Sequence, residues 1–242
     1  MASERVGPGA EVAMRLMEQR TILITGATDG LGRALAADLA GRGATVLVHG
    51  RNERRGQDTL DEIRERVPGA QLHCYRADLA SLDEVREFAA AVEGEHKTLD
   101  TLANNAGIGS TVPGGGVRQE SVEGHELRFA VNYLAGYLLT RLLLPVLRAA
   151  APSRIVNVSS LGQTPIDFGD VMLAKDYSGV RAYCQSKLAQ VMFPAAESQP
   201  AGKAVGPACA SSNLAPATSS KCSSEAQRSL FCISGVCSRM PP

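Results

Sequence analysis

The sequence predicts an α/β fold with a doubly wound parallel sheet, and two observations carry that expectation. Short apolar runs alternate with helical patterns from residue 21 to about 193, as in a chain of βαβ units. The runs "TILIT" and "TVLV" lack polar alternation, which suits strands covered by helices on both faces.

The elements follow in order. "TILIT" (21–25) is the first strand and enters a glycine-rich turn. "LGRALAADLAGRG" (31–43) is a helix with Leu31, Leu35 and Leu39 on one face, closed by Gly41 and Gly43. "ATVLVHG" (44–50) is the second strand. "ERRGQDTLDEIRERV" is a charged helix carrying Leu60, Ile63 and Val67, stopped by Pro68-Gly69. "QLHCYRADL" is a third strand ending near Asp78. "SLDEVREFAAAVEGE" is a third helix with Ser81 as N-cap and Glu84 completing a capping box. "LDTLANNAG" is a fourth strand, a helical pattern covers about 120 to 149, and "RIVNVSS" (154–160) is a fifth strand. "RAYCQSKLAQVMF" is the last helix, which Pro194 is expected to halt, since proline removes a helical hydrogen bond and clashes with the preceding turn.

This divides the 242 residues into an N-terminal extension (1–20), a nucleotide-binding domain (21–193) and a flexible tail (194–242) rich in Pro, Ser, Ala and Gly. Hydrophobic residues make up 44% and charged residues 21%, the balance of a soluble globular protein. Twenty-five basic residues match 25 acidic ones, which argues against a general nucleic-acid partner. No run of about 18 apolar residues occurs, so no transmembrane helix is expected. The first 20 residues lack the apolar core of a signal peptide, and a cytoplasmic location is expected. The six cysteines show no Cys-x-x-Cys and the four histidines no ligand spacing, so no zinc site is expected and the thiols are expected to be reduced.

Four groups of residues carry chemistry. "TGATDGLG" (25–32) lies between a strand and a helix. Gly26, Gly30 and Gly32 permit a tight turn and close approach of a ligand, and the helix that follows aims its N–H groups at a phosphate. Alone, the pattern is equally a simple tight turn. The second strand ends in "VHGRNERRG", without the acid that usually binds ribose hydroxyls in NAD-preferring folds; Arg51, with Arg54 and Arg55 near, can clamp a 2′-phosphate, or can simply be solvated surface. "NNAG" (104–107) follows the fourth strand and reads as a loop or a close-approach site. Tyr183 and Lys187, four apart, share one helix face; the ammonium favours phenolate and makes Tyr183 usable in proton transfer, with Ser160 placed to bond a substrate oxygen. Taken alone, Tyr-x-x-x-Lys is also a common surface pair. The neighbouring Tyr177–Arg181 pair has the same spacing but falls where no settled helix is expected.

Together these residues resemble the short-chain dehydrogenase/reductase family. "TGATDGLG" resembles its cofactor loop, "NNAG" its strand-four motif, and "VNVSS" with "YCQSK" its Ser and Tyr-x-x-x-Lys groups, over about residues 20 to 193. The resemblance implies a Rossmann-like domain and hydride transfer between a nicotinamide and a carbonyl or alcohol, with NADP(H) favoured over NAD(H). It implies Tyr183 as acid/base, Lys187 lowering its pKa and holding ribose, Ser160 orienting the substrate, and Asn132 holding a helix carbonyl and a water in a proton relay. Gly26, Thr28, Asp29, Gly30, Leu31, Gly32, Arg51, Asp78, Leu79, Asn105, Ala106 and Gly107 are its cofactor-binding set, joined by Tyr183 and Lys187. A homodimer through the two long helices is a further expectation.

Two departures matter. Ser160 and Tyr183 stand 23 positions apart, and the insert "LGQTPIDFGDVMLAKDYSGV" resembles a retinol-dehydrogenase-like branch. That implies a lipophilic substrate, with Phe168, Val171, Met172 and Leu173 lining a pocket or covering core. After Pro194 no Val-x-Val-Asn strand follows, and "LAPATSS" is a faint echo of the family's next loop. The alternative to a working enzyme is therefore a cofactor-binding, catalytically impaired remnant with a regulatory or interaction role.

Overall fold

A computed structural model describes residues 16–110 and 116–197. The expected tail from 198 onward, with "LAPATSS" and "SLFCISGVC", and residues 1–15 lie outside the described residues.

Five strands, β1 (Thr21–Ile24), β2 (Thr45–Gly50), β3 (Leu72–Arg76), β4 (Thr101–Asn104) and β5 (Arg154–Asn157), form a parallel sheet in the order β3-β2-β1-β4-β5. The helices are α1 (Gly30–Gly41), α2 (Glu53–Arg66), α3 (Leu82–Glu95), α4 (Leu127–Phe129), α5 (Ala135–Ala149) and α6 (Gly179–Glu197). A π-helical turn, Ala130–Leu134, joins α4 to α5 in one continuous helix.

Strand periodicity explains how the sheet builds two cores. Successive side chains point to opposite faces. Leu23, Leu47 and Leu102, which stand beside one another in register, enter a cluster with Phe88, Val92, Leu139 and Leu143 of α3 and α5. Ile22, Ile24, Val46 and Val48 point the other way, against Ala36 and Ala40 of α1 and Leu60 and Ile63 of α2. Each fully buried Leu contributes about 1.5–3 kcal/mol.

The helices start where side chains can accept orphan N–H groups. Asp29 accepts from Gly30, Asn52 from Arg55 and Ser81 from Glu84. The expected capping box at Ser81 is not completed. Glu84 turns its carboxylate to the Asp78 N–H at 2.8 Å and to Arg76 at 3.1 Å, because the incoming β3 segment offers a charged partner and a donor together.

Three boundaries differ from expectation. The helix expected from about 120 starts at Leu127, because residues 121–125 close a turn through Ser121 and Glu126 supplies the cap to Phe129. The fifth strand ends at Asn157 rather than 160, because the next residues turn to α6: Ser159 Oγ donates to the Lys187 carbonyl at 3.0 Å. The last helix passes Pro194 and ends at Glu197. Proline within a helix forgoes its N–H bond and strains the preceding turn, yet α6 runs through Pro194 as α5 runs through Pro145, so the sequence rule does not end either helix.

No transmembrane helix was expected, yet the continuous helix Leu127–Ala149 is long and apolar enough, by length and composition, to cross a membrane. Half of its apolar window is buried within the protein, and α5 packs on α3, so the apolarity serves the core in this fold.

Candidate active site

Chain order reverses between β1 and β4, so the crevice at their C-terminal ends is the natural ligand site of such a sheet. Thr25, buried at the end of β1, knits the crevice together. Its Oγ1 accepts from the Asn105 and Ala106 N–H groups, each at 3.0 Å, and donates to the Ala103 carbonyl at 3.3 Å. The Asn105 amide donates to the carbonyls of Thr25 (2.8 Å) and Gly26 (3.1 Å). The two glycine motifs therefore form one joined surface.

Two glycines are required by this closeness. Gly26 has φ 63° and a side-chain carbon on it would stand 2.9 Å from the Ala106 Cα. A side chain on Gly32 would collide with the Gly26 carbonyl and the Asn105 amide. The Asp29 cap and the first residues of α1, Gly30 and Leu31, are exposed, and Thr28 packs against Gly50.

Asp29 holds the rim. Its carboxylate accepts from Gly30 and pairs with Arg55 at 3.0 Å, and these two partners, the backbone bond first, hold its pKa below the usual value. Arg55 is thereby committed to Asp29, while Arg51 is exposed just before the α2 cap. Asp78 sits beyond β3 in a local turn, its Oδ1 accepting from Ala80 at 2.9 Å, beside buried Leu79.

His49 was read only as lacking ligand spacing, yet it ties the crevice together. Its Nδ1 accepts from the Gly26 N–H at 3.2 Å, so Nε2 carries the proton to the Ala77 carbonyl, also at 3.2 Å. The ring stacks on Phe88, and burial lowers its pKa to about 4, keeping it neutral. No local signal marks this role, because its partners come from two other strand ends.

Asn132 and Lys187, two of the expected catalytic residues, meet the strand-four loop at Gly107. A side-chain carbon there would lie 3.2 Å from Asn132 Oδ1 and 3.4 Å from Lys187 Nζ. Asn132, in the π turn, binds the Ile108 backbone with both ends of its amide, at 2.7 and 3.2 Å, and donates to Ser186 Oγ at 2.9 Å. Ser186 in turn donates to the Tyr183 carbonyl at 2.7 Å. Asn132 thus ties the strand-four loop to α6; the carbonyl it holds, that of Ile108, belongs to this loop and not to a helix as expected. Lys187 is buried; its Nζ donates to the Val158 carbonyl (3.0 Å) and Gln190 Oε1 (2.7 Å) and lies 5.8 Å from the centre of the Tyr183 ring. Burial lowers its pKa to about 8. Ser160 and Tyr183 are partly exposed, and Ser160 Oγ and Tyr183 Cε1 lie 3.7 and 3.8 Å from where a side chain on Gly162 would begin. Ser160, Tyr183, Lys187, Asn132 and Gly107 are brought together; Arg51 and Asp78 lie at the far end of the crevice, past β2 and β3.

Tyr177 and Arg181 do not pair. Tyr177 Oη bridges Arg128 (2.7 Å) and Glu126 (3.0 Å), both buried, and Arg181 pairs with Asp167 at 2.9 Å. Of the apolar insert residues, Leu173 is buried and Phe168 is 79% exposed.

The sequence and the fold match known relatives. The model of the short chain dehydrogenase family matches residues 20–204, and the chain belongs to that family. It is similar to retinol dehydrogenase 13 of Mus musculus, 39% identical over 196 residues, covering 80% of this chain and 57% of that protein. A crystal structure of an uncharacterized protein from Mycobacterium paratuberculosis is 38% identical with a TM-score of 0.62, covering 74% of this chain and 61% of that one. A metagenomic short-chain oxidoreductase solved with NADP is 29% identical with a TM-score of 0.58, covering 74% and 76%. The chain spans a little over half the length of the retinol dehydrogenases it matches.

Proposed function

We propose that this chain is an NADP(H)-dependent oxidoreductase that exchanges hydride with a lipophilic carbonyl or alcohol, with Tyr183 as the acid/base. The observation that carries this reading is the meeting of Asn132 and Lys187 at Gly107, between the glycine turn and Tyr183. The crowded, side-chain-free surface of Gly26, Gly32 and Gly107 fits a dinucleotide laid along it. Gly30, Leu31 and the α1 N-terminus would hold its phosphates, and Asp78 with Leu79 its adenine end. Bound there, the cofactor supplies or accepts the hydride.

The chain's own residues handle the proton. Tyr183 gives its phenolic proton to the carbonyl oxygen in reduction and takes one in oxidation. Ser160 donates a hydrogen bond to the same oxygen as charge gathers on it. Two of the three Lys187 N–H donors are used by Val158 and Gln190; the third would be available to a ribose hydroxyl of a bound dinucleotide, and the positive charge favours the Tyr183 phenolate. The NADP preference rests on Arg51, on the His49-Gly50 strand end without an acid, and on the NADP held by a similar protein. The lipophilic substrate rests on likeness to a retinol dehydrogenase and on the exposed Phe168 and Leu161 of the insert.

Melting of the full chain with NADPH and with NADH tests the binding half: a larger rise with NADPH is expected, equal rises would remove the Arg51 assignment, and no rise would remove the cofactor site. Tyr183→Phe is expected to lower NADPH-dependent aldehyde reduction by about 10²–10⁴-fold while leaving the NADPH melting shift. A second reading, a cofactor-binding remnant without turnover, rests on the lack of a Val-x-Val-Asn strand pattern after Pro194; a melting shift without reduction of any aldehyde or ketone would select it.

A further inference from the structure

Away from the crevice, three potential metal ligands lie together at the outer edge of the sheet. His73, on edge strand β3, is exposed; Glu95 closes α3 and His96 caps it. One ligand atom from each lies within 4.8 Å of the others, and the two imidazole rings meet edge to face with centres 4.9 Å apart. We propose that His73, Glu95 and His96 form a site for a divalent transition metal ion of the zinc type, clipping the β3 edge to the C-terminal end of α3.

The surrounding bonds prepare the ligands. Tyr75 Oη lies 2.7 Å from Glu95 Oε2 and 2.9 Å from His96 Nε2. The phenol has one proton, and the carboxylate can only accept, so Tyr75 donates to Glu95 and His96 Nε2–H donates to Tyr75. His96 Nδ1 is then the unprotonated nitrogen, able to ligate while its other nitrogen is held from behind, the outer-shell support that metal-bound histidines use. Tyr75 itself is anchored in the core against Phe88.

Two imidazoles with one carboxylate suit zinc and its neighbours rather than magnesium or calcium, which take oxygen ligands. Ligands about 2.0–2.1 Å from a tetrahedral ion stand about 3.3 Å apart, so small side-chain rotations close the site, and the solvent-facing position is left for water. His73 lies near the start of β3, while the crevice lies at the strand C-termini. The metal would therefore act on the stability of the sheet edge and not on the proton-handling residues.

Zn2+ titrated into the reduced full chain, followed by calorimetry and by melting, tests this. Cysteines elsewhere also bind zinc, so the readout is the difference between variants. His73→Gln, an exposed change, is expected to remove one equivalent of bound Zn2+ and the associated rise in melting temperature, with His96→Gln doing the same. Tyr75→Phe is expected to weaken that equivalent by about 10-fold or more. Unchanged stoichiometry and melting shift in both histidine variants would overturn the site, and an equal shift with Mg2+ would overturn its ligand class.

Discussion

The glycine seam between β1 and β4 and the insert between β5 and α6 border the same crevice but are held in opposite ways. The seam is close backbone approach locked by three short side chains: Thr25, Asn105 and His49 bond main-chain groups, and Gly26 and Gly32 leave no room for a side chain. The insert is held by side chains at a few points, through Tyr177 to Glu126 and Arg128, Gln185 to residues 167 and 171, and Arg181 to Asp167. It also keeps Leu173 and Asp176 at φ 48° and 47°, a conformation costing an ordinary residue about 1–2 kcal/mol, and leaves Phe168 and Leu161 exposed. A surface of closely approaching backbone presents one fixed shape to a ligand. A surface built from anchored side chains can change its lining without changing its frame, which suits a cofactor side and a substrate side respectively.

Substitutions on the two sides should differ accordingly. Gly32→Val should have the largest effect, because the new side chain meets backbone that cannot withdraw; NADPH binding should disappear, read as loss of the melting shift. Lys187, where the two regions meet, should show itself in pH dependence. Its folded pKa is about 8 against 10.5 unperturbed, so between these values the unfolded chain holds a proton that the folded chain lacks. Stability relative to Lys187→Met should rise with pH across that window, by up to about 1.4 kcal/mol per pH unit, measured by urea unfolding. Asn105→Ala strands two carbonyl partners and should cost about 1–3 kcal/mol. Tyr177→Phe should cost less, about 1 kcal/mol, since Arg128 and Glu126 still stand 3.8 Å apart. Phe168→Ala should change stability by no more than about 0.5 kcal/mol while raising KM for an apolar aldehyde. A stability loss from Phe168→Ala as large as that from Asn105→Ala would erase the contrast between the two sides.

The seam was legible in the sequence because its signals are short and local. Glycines mark the turns, Ser81 marks a helix start, and Tyr183 and Lys187 are set four apart on one helix. The insert and its anchors were less legible. Tyr177 finds Glu126 and Arg128 about fifty positions away, and Glu84 leaves its expected cap for Asp78 and Arg76 once β3 is beside it. The Tyr177–Arg181 spacing was set aside because no settled helix was expected there, but where each side chain goes instead was not legible: Tyr177 to Glu126 and Arg128, Arg181 to Asp167.

The sequence by itself determined the alternation of strands and helices, the side-chain-free turn and the order of Ser160, Tyr183 and Lys187, since each depends on backbone propensity or helical spacing within a few residues. Only the tertiary structure decided that Gly107 receives Asn132 and Lys187, that His49 links three strand ends, and that His73 meets Glu95 and His96. These meetings depend on strand order and on which face each element buries, and no local stretch of the chain encodes either.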